Sequence, residues 1–392
     1  MDIEPSDCLV IGGGPAGLMA AEVLSAAGRK VVVADAMPSL GRKFLMAGKS
    51  GLNLTMDAPA KEFAVQFTPP DWLGPIVAEF DPDAVQDWAR GLGQEVFRGS
   101  TGRVFPVAMK ASPLLRAWLA RLTAQGVTFR TRWRWVGMEA GRFDFETAAG
   151  PTSLAPRRTI LALGGASWPR LGSTGHWAEI LRAQGVDIKP FQASNMGYLR
   201  SWSPFMAQHF GKPVKHVRLS AGALEGRGEF TISAKGVEGG GIYALSAALR
   251  DGAKLSVDLM PDMDLAAVRA KLETRRKGDS LSNHLRKALR LDAAKIALLN
   301  ECARPLPEAL PALAQLLKVM PLALDGAYPI TQAISTVGGI ARSAVSDRLE
   351  LNALPGVYVA GEMLDWDAPT GGYLLTGCLA TGRWAAQAAL RE

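Results

Sequence analysis

Three consecutive glycines, Gly12-Gly13-Gly14, and then Pro15-Ala16-Gly17 stand directly behind the apolar run Cys8 to Ile11. Four apolar residues read as a buried strand, and the glycines and proline break any regular continuation. Gly12, Gly14 and Gly17 fit the spacing G-x-G-x-x-G. In that pattern the first glycine allows a tight turn, the second lets backbone approach a pyrophosphate, and the third lets helix and strand pack closely. Leu18 to Ala27 is a good helix former closed by Gly28, and its N-terminus would aim free N–H groups and a positive dipole end at phosphate. Lys30 to Ala34 is a second apolar strand. It ends at Asp35, 18 positions beyond Gly17, near the distance expected of an acid that accepts from ribose hydroxyls. A glycine-rich loop alone says little, but strand, glycines, helix, strand and acid in that order predict a Rossmann-like dinucleotide site.

At 392 residues the chain exceeds the usual size of one core, so two domains are expected, one inserted into the other. The start, Met1 to Pro5, has no basic region before an apolar one, and no apolar segment reaches the roughly 20 residues of a membrane span. Cys8, Cys302 and Cys378 are isolated, which argues against a disulfide framework or a C-x-x-C pair. A cytoplasmic protein without membrane contact is the expectation. His176, His209, His216 and His284 show no metal-ligand spacing, so no metal is expected. The net charge is +7, with basic runs at Arg130 to Trp135, Lys212 to Arg218, Arg275 to Lys277 and Arg286 to Arg290. Such runs are usually solvated faces, and the alternating Arg/Trp run reads as one strand with a buried side. RNA contact is the alternative.

Gly41 to Thr55 is a second glycine- and cation-rich loop, suited to phosphate and a ring system. Pro70 to Arg98 is helical with breaks, Gly102 to Pro106 a turn, and Ser112-Pro113 starts a helix through Leu122 by the Ser cap and Pro-first rule. Val127 to Thr147 alternates like a strand meander. Thr159 to Leu163 is a buried strand running into Gly164-Gly165, as at the carboxyl edge of a parallel sheet. Residues 190–337 change texture, with short strands and then helical periodicity from Leu265 to Leu299. Gly356 to Ala360 returns as a strand ending at Gly361-Glu362, and Gly371-Gly372 precede an Ala-rich helix from Tyr373 to Leu390. The positive end of that helix would suit an electron-accepting ring and its pyrophosphate.

These motifs together resemble the YhiN/BaiN-type, aminoacetone-oxidase-like family of bacterial FAD-binding flavoproteins. The matching pieces are VIGGGPAGLMAA from Val10, GRKFLMAGKSGLNLT from Gly41, GRVFPVAMKAS from Gly102, LALGGASWPRLGSTG from Leu161, STVGGIA from Ser335 and PGVYVAGEMLDWDAPTGGYLL from Pro355. The resemblance implies an α/β, Rossmann-like FAD-binding domain built from both ends of the chain, residues 1–189 and 338–392. Residues 190–337 would be an inserted β-barrel and helical domain. It also implies FAD held by Gly12, Gly14, Pro15, Ala16 and Gly17 at the pyrophosphate, with Asp35 and Ala36 at the ribose. Arg42, Lys43 and Gly164 would lie nearby, and Gly361, Glu362, Gly372, Tyr373 and Leu374 toward the flavin.

The chain departs from the family pattern near the flavin. Lys49-Ser50-Gly51-Leu52-Asn53 stands where the family has Gly-Gly-Arg-Cys-Asn, and Leu374-Leu375-Thr376 stands where it has Asn-Leu-Gln. His176 replaces a common acid. FAD binding is therefore expected to carry over, with NADH or NADPH as transient donor, and substrate identity is not. Lys49, Asn53, His176 and Tyr373 are candidates for the catalytic polar groups, each with a structural role as the alternative. Three functions follow: a flavin oxidoreductase on a small organic substrate, a flavoenzyme that reduces uridine in ribosomal RNA, or a non-catalytic flavin binder. The oligomeric state is not legible.

Overall fold

The structure, a computed structural model, describes residues 7–49, 51–276 and 278–391. The opening Met1 to Pro5, Ser50 and Lys277 of the readings above lie outside the described residues. The chain divides into two compact units: Met1–Gln192 with Ser335–Glu392, and Ala193–Ile334.

The first unit is built on a five-stranded sheet. β1 (Cys8–Ile11) lies between β2 (Val31–Asp35) and the strand Arg158–Leu161. The strand Val357–Val359 and β6 (Thr128–Thr131) form the two edges. All four pairings are parallel, with Ile11 opposite both Ala34 and Leu161, Leu161 opposite Val359 and Asp35 opposite Thr131. Parallel strands covered on both faces need continuous apolar runs, and Leu9, Val10, Ile11, Val33, Ile160, Leu161 and Val359 are fully buried. Each such side chain contributes roughly 1.5–3 kcal/mol on burial. The strands end together, so the loops after Ile11, Asp35, Leu161 and Val359 gather at one edge, where open α/β sheets bind ligands.

The helix α1 (Pro15–Ala26) connects the first two strands and packs against the final helix Tyr373–Leu390. Small residues permit this approach: a Cβ on Gly382 would stand 2.2 Å from the carbonyl oxygen of Ala16. Glu22 of α1 anchors two further helices by accepting from the indoles of Trp88 (3.1 Å) and Trp118 (2.6 Å) and from Arg121 (2.7 Å).

Three local expectations are corrected. The helix expected at Ser112 starts at Ala111 after Lys110, with no side-chain cap. Pro113 then sits in the first turn, where its missing N–H costs nothing. The Arg130 to Trp135 run is not one strand, because β6 stops at Thr131, Arg132 takes φ 58° and a new strand begins at Arg134. Gly102 to Pro106 is more than a turn. There β3 (Thr55–Met56) and β4 (Val96–Arg98) flank β5 (Arg103–Pro106) in an antiparallel sheet.

The second unit holds a seven-stranded antiparallel sheet and the helices Leu265–Glu273, Leu281–Ala288, Ala293–Ala303 and Leu310–Lys318. Its strands run in order from Met320–Leu322 to Gly326–Ala327, and among the described residues closure into the expected barrel is not shown. Lys295 is buried in this unit and donates to the carbonyls of His216 and Leu259, both at 3.0 Å. Burial pushes its ammonium below the usual lysine range, with Asp292 and Asp258 opposing. Lys318 pairs with Asp258 at 2.7 Å. Among the described residues, no helix is long and apolar enough to cross a membrane, and no cluster of His, Cys, Asp and Glu could hold a metal.

Candidate functional site

The loop after β1 is shaped by contact distances. Gly12 has φ +109°, and a Cβ there would stand 2.2 Å from the Ala162 carbonyl oxygen. One on Gly17 would stand 1.9 Å from the Gly12 carbonyl oxygen. Around Gly14 a Cβ would meet nothing within 4 Å. The first and third glycines therefore pack backbone on backbone, while the middle one faces open space. Pro15 opens α1 without a side-chain cap, and the amides of Gly14, Ala16 and Gly17 have no acceptor among the described residues. Unpaired amides at the head of a twelve-residue helix fit a diphosphate.

Asp35 stands beside them. Its two oxygens accept from the amides of Gly13 and Met37, each at 2.7 Å. Burial raises this carboxyl above its usual range, and the Met37 and Gly13 amides and Arg42 oppose the shift. Each oxygen keeps a second lone pair, which is what a ribose diol needs. The same residue thus braces the glycine loop and presents an acceptor.

A charged cluster lies farther along the strand ends. Lys43, on the short helix α2 (Arg42–Ala47), donates to Glu362 at 2.7 Å and to the buried Ser167 hydroxyl at 3.0 Å. Glu362 follows the strand Val357–Val359 through Gly361, whose amide donates to Thr381 of the final helix at 2.9 Å. A Cβ on Gly361 would stand 2.9 Å from that of Ala16, which brings the last strand's exit onto α1. Behind Gly361, the Cys378 thiol is pushed up to about 12, chiefly by burial. It is a packing group rather than a nucleophile.

The remaining candidates are scattered. Gly372 rests on the backbone of Thr55, where a Cβ would stand 2.4 Å from Thr55 Cα. Tyr373 stacks on Phe63 at 4.5 Å and meets Phe67 edge-on, and burial raises its hydroxyl. Leu374 is half-buried beside it, and Gly164 accepts from the Trp177 indole at 2.8 Å. Lys49, Ala36 and His176 are exposed. Among the described residues, Arg42 reaches only the Ser39 hydroxyl, at 3.3 Å, and neither its buried Nε nor the buried Oδ1 of Asn53 has a partner. Ser167 and Thr381 escaped the sequence reading because a lone hydroxyl carries no spacing signal.

The parallel sheet and its glycine cradle define a chain of the FAD-dependent oxidoreductase class. It belongs to the family described as HI0933-like protein Rossmann domain, whose model matches residues 6–388. The chain is 24% identical over 383 residues to the ribosomal RNA dihydrouridine synthase of Escherichia coli (strain K12), covering 95% of this chain and 94% of that protein. It is 25% identical over 404 residues to the 3-dehydro-bile acid delta(4,6)-reductase of Clostridium scindens, covering 97% and 98%. In fold it is similar to the 3-ketosteroid delta1-dehydrogenase of Sterolibacterium denitrificans, with a TM-score of 0.55 at 14% identity, covering 99% of this chain and all (100%) of that one.

Proposed function

We propose that this chain is an FAD-dependent reductase that saturates a carbon–carbon double bond conjugated to a carbonyl in a small ring substrate, with NADH or NADPH as donor. The observation that carries the reading is the open space at Gly14 beside the unpaired amides of Ala16 and Gly17. The two relatives support the choice of reaction, since a delta(4,6)-reductase and a dihydrouridine synthase both saturate such a bond. When bound, FAD supplies hydride transfer between donor and substrate.

The chain's own residues hold and orient. Gly12, Gly14, Pro15, Ala16 and Gly17 form the diphosphate cradle, and Asp35 with Ala36 takes the ribose. Lys43, braced by Ser167, fixes the Glu362 carboxylate in place, while Gly164, Gly361 and Gly372 to Leu374 line the ring end with Arg42 nearby. Lys49, Asn53, His176 and Tyr373 are the polar candidates for the substrate and for the proton that accompanies hydride. The test is anaerobic titration of the purified yellow protein with NADH and NADPH, followed by reoxidation with cyclic enones. Bleaching by a nicotinamide and recovery with an enone is the expected result. A colourless protein that takes up no FAD overturns the reading.

A second reading, RNA as substrate, is favoured by charge. Residues 193–334 carry nineteen Lys and Arg against thirteen Asp and Glu, nearly the whole excess of the chain. A ribosomal RNA gel shift that weakens steeply with salt supports it, and a salt-independent or absent shift rejects it.

A further inference from the structure

Arg103 belongs to the GRVFPVAMKAS motif, to which nothing above gives a role. It opens β5, opposite Met56 of β3. The chain passes directly over it at Gly371: a Cβ there would stand 3.3 Å from Arg103 Nε and 3.3 Å from Met56 Cε. The contact is tight, and with φ +109° at Gly371 a side chain there would be strained and would press on the guanidinium. Its Nε is buried without a partner, and the guanidinium makes no ion pair among the described residues. Carboxylates are not scarce in this hairpin, since Arg98 pairs with Asp57 at 3.1 Å. Just past Gly371 the 18-residue final helix begins at Gly372 with no side-chain cap, so its free amide end lies next to the unpaired cation. Two positive poles together without a counter-charge are costly to hold, and one oxygen acceptor would satisfy both.

Building on the FAD reading, we infer that Arg103 is a ligand-contacting residue of the redox site, placed to receive a ring carbonyl oxygen that gains negative charge as electrons enter the conjugated system. That oxygen has two sources, the pyrimidine edge of the flavin itself or the carbonyl of an enone substrate. The test uses FAD-loaded Arg103→Met and Arg103→Lys. It reads FAD content, the midpoint potential by dye equilibration, sulfite affinity, and the absorbance change on adding 2-cyclohexenone.

If the oxygen is the flavin's, sulfite affinity falls about tenfold in Arg103→Met, the size expected for a lost charge-assisted hydrogen bond, and the potential falls with it. Arg103→Lys then recovers part of both. If the oxygen is the substrate's, potential and sulfite affinity stay at the wild-type values and enone binding weakens by a similar factor. Should Arg103→Met not fold, Arg103→Lys carries the test, because an ammonium cannot reproduce the guanidinium fork and shifts the same readouts less. A variant that keeps its FAD yet leaves all these readouts within about twofold of wild type overturns the role of Arg103 alone. A wild-type chain that binds no FAD overturns both readings.

Discussion

At Gly17 a Cβ would stand 1.9 Å from a carbonyl oxygen, whereas at Gly226, in the sheet of the second unit, it would meet nothing within 4 Å. The charges of the two regions differ in the same sense. In the first unit Glu22, Lys43 and Glu362 are shielded and each has a named partner. In the second, Lys212, Lys215, Arg275, Arg276, Arg286, Lys287 and Arg290 are all exposed. One region is specified by distances around a space that must stay open. The other is specified by a hydrophobic sheet and a solvated basic exterior, and tolerates change at open positions such as Gly226 but not at Gly236, where a Cβ would stand 2.0 Å from the Tyr198 carbonyl oxygen.

The sharpest way to break this comparison is to place equal insults on both sides. Gly17→Val drives α1 off the Gly12 carbonyl and should cost about 3 kcal/mol or more, with loss of bound FAD. Gly226→Ala should change the unfolding free energy, measured by urea titration, by no more than about 0.5 kcal/mol. Similar losses at the two positions would abolish the distinction. Next in size is Lys295→Met, which strands the carbonyls of His216 and Leu259 and should cost about 2 kcal/mol in the second unit while FAD affinity holds. A parallel fall in FAD affinity would show that the two regions do not answer separately.

Asp35→Asn sharpens the account of the cradle. An amide side chain accepts at one end only, so either the Gly13 or the Met37 amide loses its acceptor, at a cost of about 1 kcal/mol. FAD affinity, measured by fluorescence, should drop about tenfold, since the ribose loses a charged acceptor. The smallest effect uses the cysteines as local reporters. Burial pushes Cys8 and Cys302 up to about 11 and Cys378 up to about 12. Native protein at pH 8 should therefore resist thiol reagents at all three. In Lys295→Met, Cys302 should label first, with Cys8 and Cys378 unchanged. Because these thiols are raised above their ordinary value, the stability they contribute is full below about pH 9 and declines as pH climbs through about 11.

Much of the first unit was legible because its signals are local. The G-x-G-x-x-G spacing, the apolar runs of β1 and β2 and the limits of the final helix each follow from neighbours in sequence. The meeting of Lys43 with Glu362 was not derivable from spacing, because the two stand 319 positions apart and are joined only by the strand order of the sheet. Arg103 was hidden for the same reason: its contact with Gly371 belongs to no short motif. The Arg130 to Trp135 run misled because alternation over six residues looks alike in a strand and across a turn, and Arg132 in the left-handed region decides the case. Closure of the second sheet was not legible, because periodicity reveals strands but not whether the two edge strands meet.

The pairing of α1 with the final helix has a consequence for biosynthesis. As the polypeptide leaves the ribosome, every strand and helix between residues 193 and 334 emerges before Val357–Val359 and Tyr373–Leu390 exist. The middle of the chain can condense while β1 and α1 still wait for their partners. Cofactor loading is thereby deferred until residues 357–390 have emerged, and a product stalled before them would carry a finished insert beside an incomplete cradle.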